Sequence, residues 1–350
     1  MRIGLYGLPT AGKTYILDKI SFLDVVSGST MLREICPEFD LKNDVEKNKI
    51  RMDLANILMS KDNFIVDGHY AFGDKIVFTE SDGKLYDVFI YLYLSPEKIR
   101  ERMAASIRNK KYLSYNIEEW QKYEINCLRE YCHMNDKDFY VLDNPPQNEF
   151  DDISSVIEFI KGIVSGYSCV TFAERCANEI LKHSSSNIIT LMDGDKTVTV
   201  EDSSNAVFGY TTCIYDGNFY TGYQMWKQMN EFKTYEFADL SKLPVSLNEE
   251  VCNAINNETY ILTSGHEKVW KYIAGYLNIP YFAGVEMSAE TKLYITKRLQ
   301  AAGKTVVAYG DGMNDYYMLR QADKGFLVRK KGKTVSKSLE GMDLEGLIYV

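Results

Sequence analysis

Apolar residues follow two periodicities along the first 142 residues, and their alternation predicts a repeated strand and helix pattern. Short apolar runs of strand length alternate with longer amphipathic stretches, which is typical of a parallel sheet flanked by helices. The predicted strands are Arg2–Tyr6, Asp24–Ser27, Asn63–Val66, Asp87–Leu94 and Phe139–Leu142, and the predicted helices span 13–22, 42–60, 96–109 and 116–134. We therefore predict a doubly wound α/β domain.

A second strand and helix series follows a polar break at residues 143–149. The break contains Pro145 and Pro146, which can neither continue a helix nor donate a hydrogen bond to a sheet. A helical pair at 151–164 and 170–183 leads into predicted strands at Ile188–Met192, Tyr260–Thr263, Tyr281–Val285, Thr305–Tyr309 and Gly325–Val328. The fold class is therefore α/β with two doubly wound parallel-sheet domains, at 1–144 and 145–350.

An insert at about 200–258 separates the first two strands of the second domain. Its apolar residues recur at helical spacing, which predicts a small helical cap. Four of its tyrosines are candidates to line a pocket, although most are expected to be core or surface aromatics: Tyr210, Tyr215, Tyr220 and Tyr223.

Composition narrows the class of protein. A chain of 350 residues, 45% hydrophobic and 25% charged, is typical of a globular protein with two domains. A net charge of −9 argues against extended binding along a nucleic-acid backbone. The amino terminus lacks a signal-peptide pattern, no apolar run approaches the ~20 residues that cross a bilayer, and the seven cysteines are scattered. We expect a cytoplasmic protein without a membrane segment.

Residues 7–14 fit the pattern GxxxxGK[ST] between the first predicted strand and the first predicted helix. In such a loop the backbone N–H groups wrap a β-phosphate, the lysine contacts the β- and γ-phosphates, and the final hydroxyl binds Mg²⁺. The sequence therefore predicts ATP and Mg²⁺ as cofactors, bound by Gly7, Pro9, Thr10, Ala11, Gly12, Lys13 and Thr14.

Together with this loop, two further stretches resemble the adenylate-kinase-like branch of P-loop kinases, over most of residues 1–142. The segment from Val26 to Arg33 is similar to the one with which nucleoside monophosphate kinases hold their acceptor. This resemblance implies that Arg33 binds the acceptor phosphate. The strand that ends in Asp67 is similar to the one whose aspartate organises Mg²⁺, so Asp67 would act together with Thr14.

The helix after Ser95 resembles the start of the kinase lid helix. The resemblance implies that arginines of this helix neutralise the transferred phosphoryl group, with Arg102 the best candidate among Arg100, Arg102 and Arg108. A solvated helix face is the alternative for all three. Ser106 stands where the family has a second lid arginine.

The acceptor stays open, because His69-Tyr70-Ala71 replaces the family's Phe-Pro-Arg. His69 is as consistent with a base near an acceptor hydroxyl as with an ordinary loop residue.

The strand at Ile188–Met192 leads into Asp193-Gly194-Asp195-Lys196-Thr197, a DxDxT motif. Period-2 alternation places Asp193 and Asp195 on the same side of the strand end. Two carboxylates so close together need a cation between them or a retained proton. This arrangement suits a nucleophile and an acid–base group beside a metal ion.

Three further motifs follow in order: Ser264-Gly265 after a strand, Lys292, and the sequence GDGMND at 310–315. With DxDxT they resemble the haloacid dehalogenase phosphatase superfamily, and its phosphoserine-phosphatase-like branch in particular, over roughly residues 186–330. Thr263 is a rival for the role of Ser264, and Lys297 for that of Lys292.

The resemblance implies a role for each matching residue. Asp193 would attack phosphorus, and Asp195 would act as acid and base. The Mg²⁺ ligands would be Asp193, the backbone carbonyl of Asp195, and Asp311. Ser264 and Lys292 would bind the phosphoryl oxygens, and Gly265 would help to bind the substrate. Asn314 and Asp315 would position the metal-bound waters and Lys292.

Glu201 and Asp202 fall where phosphoserine phosphatases carry an acid that binds the substrate amine. Asp202 is the aligned residue, and a cap charge that faces water is an equal alternative.

These features predict a bifunctional enzyme with an ATP-dependent small-molecule or nucleotide kinase domain and a Mg²⁺-dependent phosphomonoesterase domain. The expected partners are ATP and a small phosphorylated metabolite or nucleotide. Two alternatives are a polynucleotide 5′-kinase and 3′-phosphatase for end repair, and a phosphatase regulated by a nucleotide-sensing P-loop domain. The negative charge, the predicted cap and the absence of an aspartate at Ser27-Gly28-Ser29 argue against the first.

Overall fold

The computed structural model describes residues 1–150, 152–209, 217–233, 245–284, 286–329 and 334–350. The chain forms two compact units, Met1–Tyr167 and Ser168–Val350. The sequence places the domain boundary earlier, at 144/145. The two boundaries differ in where they place the helix Ser154–Val164, which belongs to the first unit. Its Phe159 packs edge-on against Tyr140, with 5.1 Å between ring centroids. This aromatic contact joins the helix to the first unit.

The first unit is a parallel sheet with flanking helices. Its strands are β1 Arg2–Tyr6, β2 Asp24–Ser27, β3 Phe64–Asp67, β4 Ala71–Phe72, β5 Lys75–Ile76, β6 Val88–Leu92 and β7 Asp138–Leu142. Its helices are α1 Lys13–Leu17, α2 Gly28–Ile35, α3 Asp44–Leu58, α4 Glu80–Leu85, α5 Pro96–Ala105, α6 Ile117–Met134 and α7 Ser154–Val164. The sheet order is β2-β3-β1-β6-β7, and β4 and β5 form a separate hairpin. The predicted fold class is confirmed for this unit.

Most predicted elements of the first unit occur close to their predicted bounds, but the helices predicted at 13–22 and 96–109 end earlier, at Leu17 and Ala105. The additional elements are short. The hairpin of β4 and β5 has two residues in each strand, too few to show a period-2 pattern. Helix α2 begins at Gly28 within Ser27-Gly28-Ser29, whose residue types are more typical of a loop.

The second unit is also a parallel sheet with flanking helices, as predicted. Its strands are β8 Ile188–Met192, β9 Thr259–Thr263, β10 Tyr281–Ala283, β11 Thr305–Gly310, β12 Lys324–Leu327 and β13 Ile348–Tyr349. Its helices are α8 Cys169–His183, α9 Ser203–Phe208, α10 Gly222–Phe232, α11 Glu249–Cys252, α12 Glu267–Leu277, α13 Ala289–Ala301 and α14 Met313–Gln321. The sheet order is β10-β9-β8-β11-β12-β13.

The insert between β8 and β9 carries α9, α10 and α11 in its described parts. The predicted pocket tyrosines Tyr210 and Tyr215 lie outside the described residues, as does Val285 at the predicted end of a strand. Of the other two, Tyr223 is fully buried and Tyr220 lines a cavity.

No single helix in the described ranges is long and apolar enough to span a bilayer. The consecutive helices α7 and α8 meet the length and composition criteria only when they are taken together.

Candidate functional site

The phosphate-binding loop connects β1 to α1, and two glycines give it its shape. Gly7 has φ of 146° and Gly12 has φ of 107°, a region that side chains rarely adopt. A Cβ on Gly7 would also lie 2.8 Å from the backbone oxygen of Leu92. The loop conformation therefore depends on glycine at both positions.

Lys13 opens α1, and its ammonium group is buried under the loop. Its Nζ donates to the carbonyl oxygens of Gly7 at 2.5 Å and Leu8 at 3.2 Å. Burial lowers the pKa of Lys13 to about 8, against the opposing charges of Glu124 and Asp67. The lysine is therefore satisfied by carbonyl groups of its own loop.

Arg102 also contacts the loop from α5. Its Nη1 donates to the carbonyl oxygens of Thr10 and Ala11, both at 3.3 Å. Arg100 and Arg108 are exposed. The structure therefore brings Arg102, among the three lid arginines, to the phosphate-binding loop.

Asp67 ends β3, next to β1 in the sheet, and its Oδ1 accepts from the backbone N–H of Gly28 at 2.9 Å. Thr14 is exposed in the first turn of α1.

Arg33 lies on the surface in an ion pair. Its Nε is 2.9 Å from Asp40 Oδ2, and its Nη1 donates to the backbone oxygen of Ser29 at 3.1 Å. An acceptor phosphate that bound Arg33 would therefore compete with Asp40.

His69 lies beside Phe72, with 4.5 Å between ring centroids. Its Nδ1 is buried and has no hydrogen-bond partner among the described residues. Burial and then the charge of Lys13 lower the pKa of His69 well below its usual value. The ring is therefore neutral near pH 7.

Glu124 on α6 is a buried carboxylate that the sequence did not single out. Its Oε1 accepts from the Ala71 backbone N–H at 2.9 Å and from Trp120 Nε1 at 3.1 Å, and its Oε2 accepts from the Tyr91 hydroxyl at 3.0 Å. Burial raises the pKa of Glu124 to about 7. Helical spacing in the sequence could have indicated its burial, because Glu124 lies four residues after Trp120 and four before Leu128, on the buried face of the helix.

In the second unit, three carboxylates meet at the carboxyl ends of two neighbouring strands. Asp193 follows β8 and Asp311 follows β11, which pairs with β8 in parallel. Asp315 lies in the first turn of α14. One oxygen of each of the three carboxyl groups lies within 4.8 Å of the others.

Lys292 on α13 lies between two of these carboxylates. Its fully buried ammonium is 2.5 Å from Asp193 Oδ1 and 2.7 Å from Asp315 Oδ1. The two carboxylates raise the pKa of Lys292 against the effect of burial. Its rival Lys297 lies over the ring of Tyr294 instead, with Nζ 5.7 Å from the ring centroid.

Asp195 is held by two donors. Its Oδ1 accepts from the Ser203 backbone N–H at 2.7 Å, and its Oδ2 accepts from Trp270 Nε1 at 3.4 Å. Burial and then the charge of Asp202 raise the pKa of Asp195 to about 6. A carboxyl group that titrates near neutral pH suits proton transfer in both directions.

Two polar contacts involve the Ser264 segment. Asn314 Nδ2 donates to Ser264 Oγ at 3.4 Å, while the rival Thr263 accepts from the Gly265 backbone N–H at 3.0 Å. A Cβ on Gly265 would lie 2.3 Å from Trp270 Nε1. Glycine at 265 therefore leaves space for the indole that contacts Asp195.

One cavity of about 440 Å³ is lined by predicted site residues, among them Asp193, Asp195, Ser264, Asp311, Asn314 and Asp315. Asp202 lies there in an ion pair with Lys196 at 2.7 Å and also caps α9, since its Oδ1 accepts from the Asn205 N–H. Glu201 instead accepts from the Ser246 backbone N–H at 2.8 Å. The lining also includes residues that the sequence did not single out, among them Lys196 within the DxDxT motif, and Ser336, Lys337 and Ser338 outside any recognised motif.

The residues present fit a divalent cation. Mg²⁺ prefers oxygen ligands and keeps several waters. The three carboxylates supply such oxygens, and Asn314 Oδ1 is buried without a hydrogen-bond partner among the described residues. This amide oxygen could accept from a water molecule bound to the ion.

In the first unit, the glycine loop, Lys13 and the buried Thr10 Oγ1, which has no partner in the part of the chain that the structure describes, similarly fit a nucleotide phosphate.

Family comparisons agree with this division. Residues 6–121 match the model of an AAA domain, and residues 223–323 match that of haloacid dehalogenase-like hydrolases. Comparison with curated protein sequences finds no significant match.

Similar solved structures resemble one half of the chain each. Shikimate kinase from Bacteroides thetaiotaomicron is 15% identical over 47% of this chain and 98% of its own, with a TM-score of 0.33. A HAD family hydrolase from Salmonella enterica serovar Typhi is 18% identical over 42% of this chain and 64% of its own, with a TM-score of 0.29. A phosphoserine phosphatase in apo form is 15% identical over 41% of this chain and 88% of its own, with a TM-score of 0.27.

The loop, the carboxylate cluster and the two family matches lead to one conclusion: this chain is an enzyme that joins a P-loop, kinase-like domain to a haloacid dehalogenase-like hydrolase domain.

Proposed function

We propose that the second unit is a Mg²⁺-dependent phosphomonoesterase in which Asp193 is the nucleophile. One observation carries the proposal: Asp193, Asp311 and Asp315 converge in the cavity that Asp195 and Ser264 also line, and the ammonium of Lys292 lies between Asp193 and Asp315. A bound Mg²⁺ would neutralise phosphoryl charge and orient the ester.

In the first step, an oxygen of Asp193 attacks phosphorus, and the bond between phosphorus and the ester oxygen breaks. Asp195 gives its proton to the leaving oxygen, which departs as an alcohol. In the second step, Asp195 takes a proton from water as that water attacks the aspartyl-phosphate. Inorganic phosphate leaves, and Asp193 is again a free carboxylate. The contacts from Ser203 and Trp270 hold Asp195 in place for both proton transfers.

The charge balance at Asp193 supports this role. Lys292 offsets the negative charge of Asp193 and Asp315 before substrate arrives. An incoming phosphoryl group brings further negative charge, which the buried ammonium and a bound cation would attract. Ser264 and Gly265 would supply hydrogen-bond donors to the phosphoryl oxygens.

We further propose that the first unit binds ATP and Mg²⁺ and transfers the γ-phosphoryl group to the hydroxyl of a small molecule or nucleotide. Lys13 and Arg102 supply positive charge at the loop, and Asp67 supplies a carboxylate at the end of the adjacent strand. The neutral ring of His69 is a candidate to contact the acceptor, because its Nδ1 has no hydrogen-bond partner among the described residues.

The phosphatase is tested by p-nitrophenyl phosphate hydrolysis with Mg²⁺. We expect Asp193→Asn to lower kcat by about 10³-fold or more, since it removes the nucleophile. The control is Asp343→Asn, because Asp343 lies in an exposed ion pair with Arg320. Both variants should bind ATP like the wild type. Full activity in Asp193→Asn would remove Asp193 as the nucleophile.

The kinase is tested with γ-labelled ATP, Mg²⁺ and separate pools of metabolites, nucleotides and oligonucleotides. We expect label on a metabolite or a nucleotide. Label only on oligonucleotide 5′ ends would favour end repair over the proposed reaction. ATP binding that changes phosphatase activity without any transfer of label would favour a nucleotide sensor.

A further inference from the structure

The segment at 334–339 forms part of the wall of the phosphatase cavity, although it carries none of the recognised motifs. Ser338 Oγ accepts from the Met313 backbone N–H at 3.1 Å and lies 3.1 Å from Ser336 Oγ. A Cβ on Gly312 would lie only 3.4 Å from Ser338 Oγ. The wall therefore packs directly on the turn that follows Asp311.

The same wall is connected to the cap. The Tyr220 side chain hydrogen-bonds Ser338, and both residues line the cavity. Lys337 lies between two serines that are fixed by hydrogen bonds, so its backbone position beside the cavity is restricted. Its side chain is exposed and belongs to the lining.

The cations around the cavity differ in whether a carboxylate already pairs with them. Lys292 contacts Asp193 and Asp315, and Lys196 contacts Asp202. Within the described ranges Lys337 has no ion pair. An anionic group that bound Lys196 would compete with Asp202, whereas one that bound Lys337 would displace no carboxylate.

The size of the cavity allows a ligand to reach beyond the phosphoryl site. Its volume of about 440 Å³ lies within the range of roughly 300–1,000 Å³ that is typical of small-molecule sites. A phosphoryl group alone would leave much of this volume empty. The remainder of the lining is largely polar, with Asn218, Gln228 and Ser204 among its members.

We propose that Lys337 binds a second anionic group of the phosphatase substrate, a carboxylate or a second phosphate, and is thereby a specificity-determining residue. The substrate class is a small phosphorylated acid or a bisphosphate. This inference rests on the proposed phosphatase function of the same cavity. Lysine suits the role because its ammonium is a point charge that attracts either anion.

The test compares probes that differ in their second anion. The pairs are phosphoglycolate against ethyl phosphate, and propane-1,3-diol bisphosphate against propyl phosphate. We expect Lys337→Gln to lower the kcat/KM ratio within at least one pair by about 10-fold, the effect of one charge-assisted hydrogen bond. Lys337→Arg should restore most of that ratio. Lys271→Gln is the control, because Lys271 is exposed on α12 and does not line this cavity.

The two pairs separate a carboxylate from a phosphate as the second anion. A ratio that Lys337→Gln leaves unchanged in both pairs would overturn the inference. So would a wild-type enzyme that prefers, in both pairs, the probe without the second anionic group.

Failure of the proposed function itself would look different. The wild type would then hydrolyse none of the probes. In that case, calorimetric binding of phosphoglycolate and the bisphosphate to Asp193→Asn, with and without Lys337→Gln, still decides the role of Lys337. Equal affinity with and without the second substitution would overturn the inference, and weaker binding with it would support it.

Discussion

The two phosphoryl-handling sites of this chain hold their key lysines in opposite ways. Lys292 in the second unit contacts the carboxylates of Asp193 and Asp315, which are themselves part of the site. Lys13 in the first unit instead donates to the carbonyl oxygens of Gly7 and Leu8. Both ammonium groups are buried, but among the residues that the structure describes only Lys292 of the two has direct ionic partners.

This difference bears on how each site meets its ligand. The hydrolase site has its ion pairs and hydrogen bonds in place, so little rearrangement is needed before a phosphate ester binds. In the P-loop site, Lys13 and Arg102 donate to carbonyl oxygens of the loop. A nucleotide phosphate must replace these carbonyl groups as the hydrogen-bond partner of the two cations. Because Lys292 is the cation of two buried carboxylates, we expect its removal at the second site to affect stability as well as activity, whereas removal of Lys13 at the first site should affect mainly nucleotide binding.

Removal of the Lys292 ammonium should give the largest effect. Lys292→Met leaves two buried carboxylates without their cation, which typically costs about 3–5 kcal/mol. We expect the free energy of unfolding to fall by roughly this amount, as measured by urea denaturation without Mg²⁺, together with loss of phosphatase activity. Lys297→Met is the matched control on the same helix. Unfolding at the wild-type urea concentration would mean that the buried ion pairs do not stabilise the fold.

Removal of the Lys13 ammonium should weaken nucleotide binding with a smaller cost in stability. We expect Lys13→Ala to reduce ATP affinity by about 10- to 100-fold, as loss of a charge-assisted hydrogen bond to phosphate. Fluorescence titration with a labelled ATP analogue measures this affinity, and Lys19→Ala is the control because Lys19 is exposed. Phosphatase activity should persist. A parallel loss of p-nitrophenyl phosphate hydrolysis would show instead that the two sites are coupled.

A pH-dependent effect concerns Glu124, whose folded-state pKa of about 7 exceeds the usual value of a glutamate. Its protonated form is therefore favoured in the folded protein. Protonated Glu124 contributes at most about 3 kcal/mol to the free energy of unfolding. This contribution is fully present below about pH 4 and is lost as the pH rises through about 7.

Glu124→Gln should remove this pH dependence, because the amide does not titrate. The measurement is urea denaturation of both proteins at several pH values between about 4 and 8. Parallel pH profiles for the wild type and Glu124→Gln would show that Glu124 is not the titrating group.

The sequence predicted the α/β class and both loops that carry chemistry, because these features are local. The strand β1 has its predicted bounds, and the motifs at 7–14 and 193–197 stand directly after strands. The sheet order then brings Asp311 beside Asp193 without further information.

The rest of the candidate sites depends on contacts between residues far apart in the chain. Glu124 contacts Ala71 and Tyr91, which lie 53 and 33 residues away, and no spacing rule connects them. Lys337 lies beside the cavity because its neighbour Ser338 accepts a hydrogen bond from the backbone N–H of Met313, 25 residues earlier in the chain. The two prolines of the polar break predicted a domain boundary before α7. The packing of Phe159 on Tyr140, a contact between residues distant in sequence, instead places α7 in the first unit.

The covalent step at Asp193 tests the central claim most directly. The enzyme is mixed with p-nitrophenyl phosphate and Mg²⁺, quenched in acid, reduced with borohydride and mapped by mass spectrometry. The Asp195→Asn variant should accumulate the intermediate, because p-nitrophenolate leaves without a proton whereas the attacking water needs a base. We predict modification at Asp193 in this variant and none in Asp193→Asn. Turnover with no trapped modification at Asp193, or with modification at another residue, would contradict the proposed mechanism.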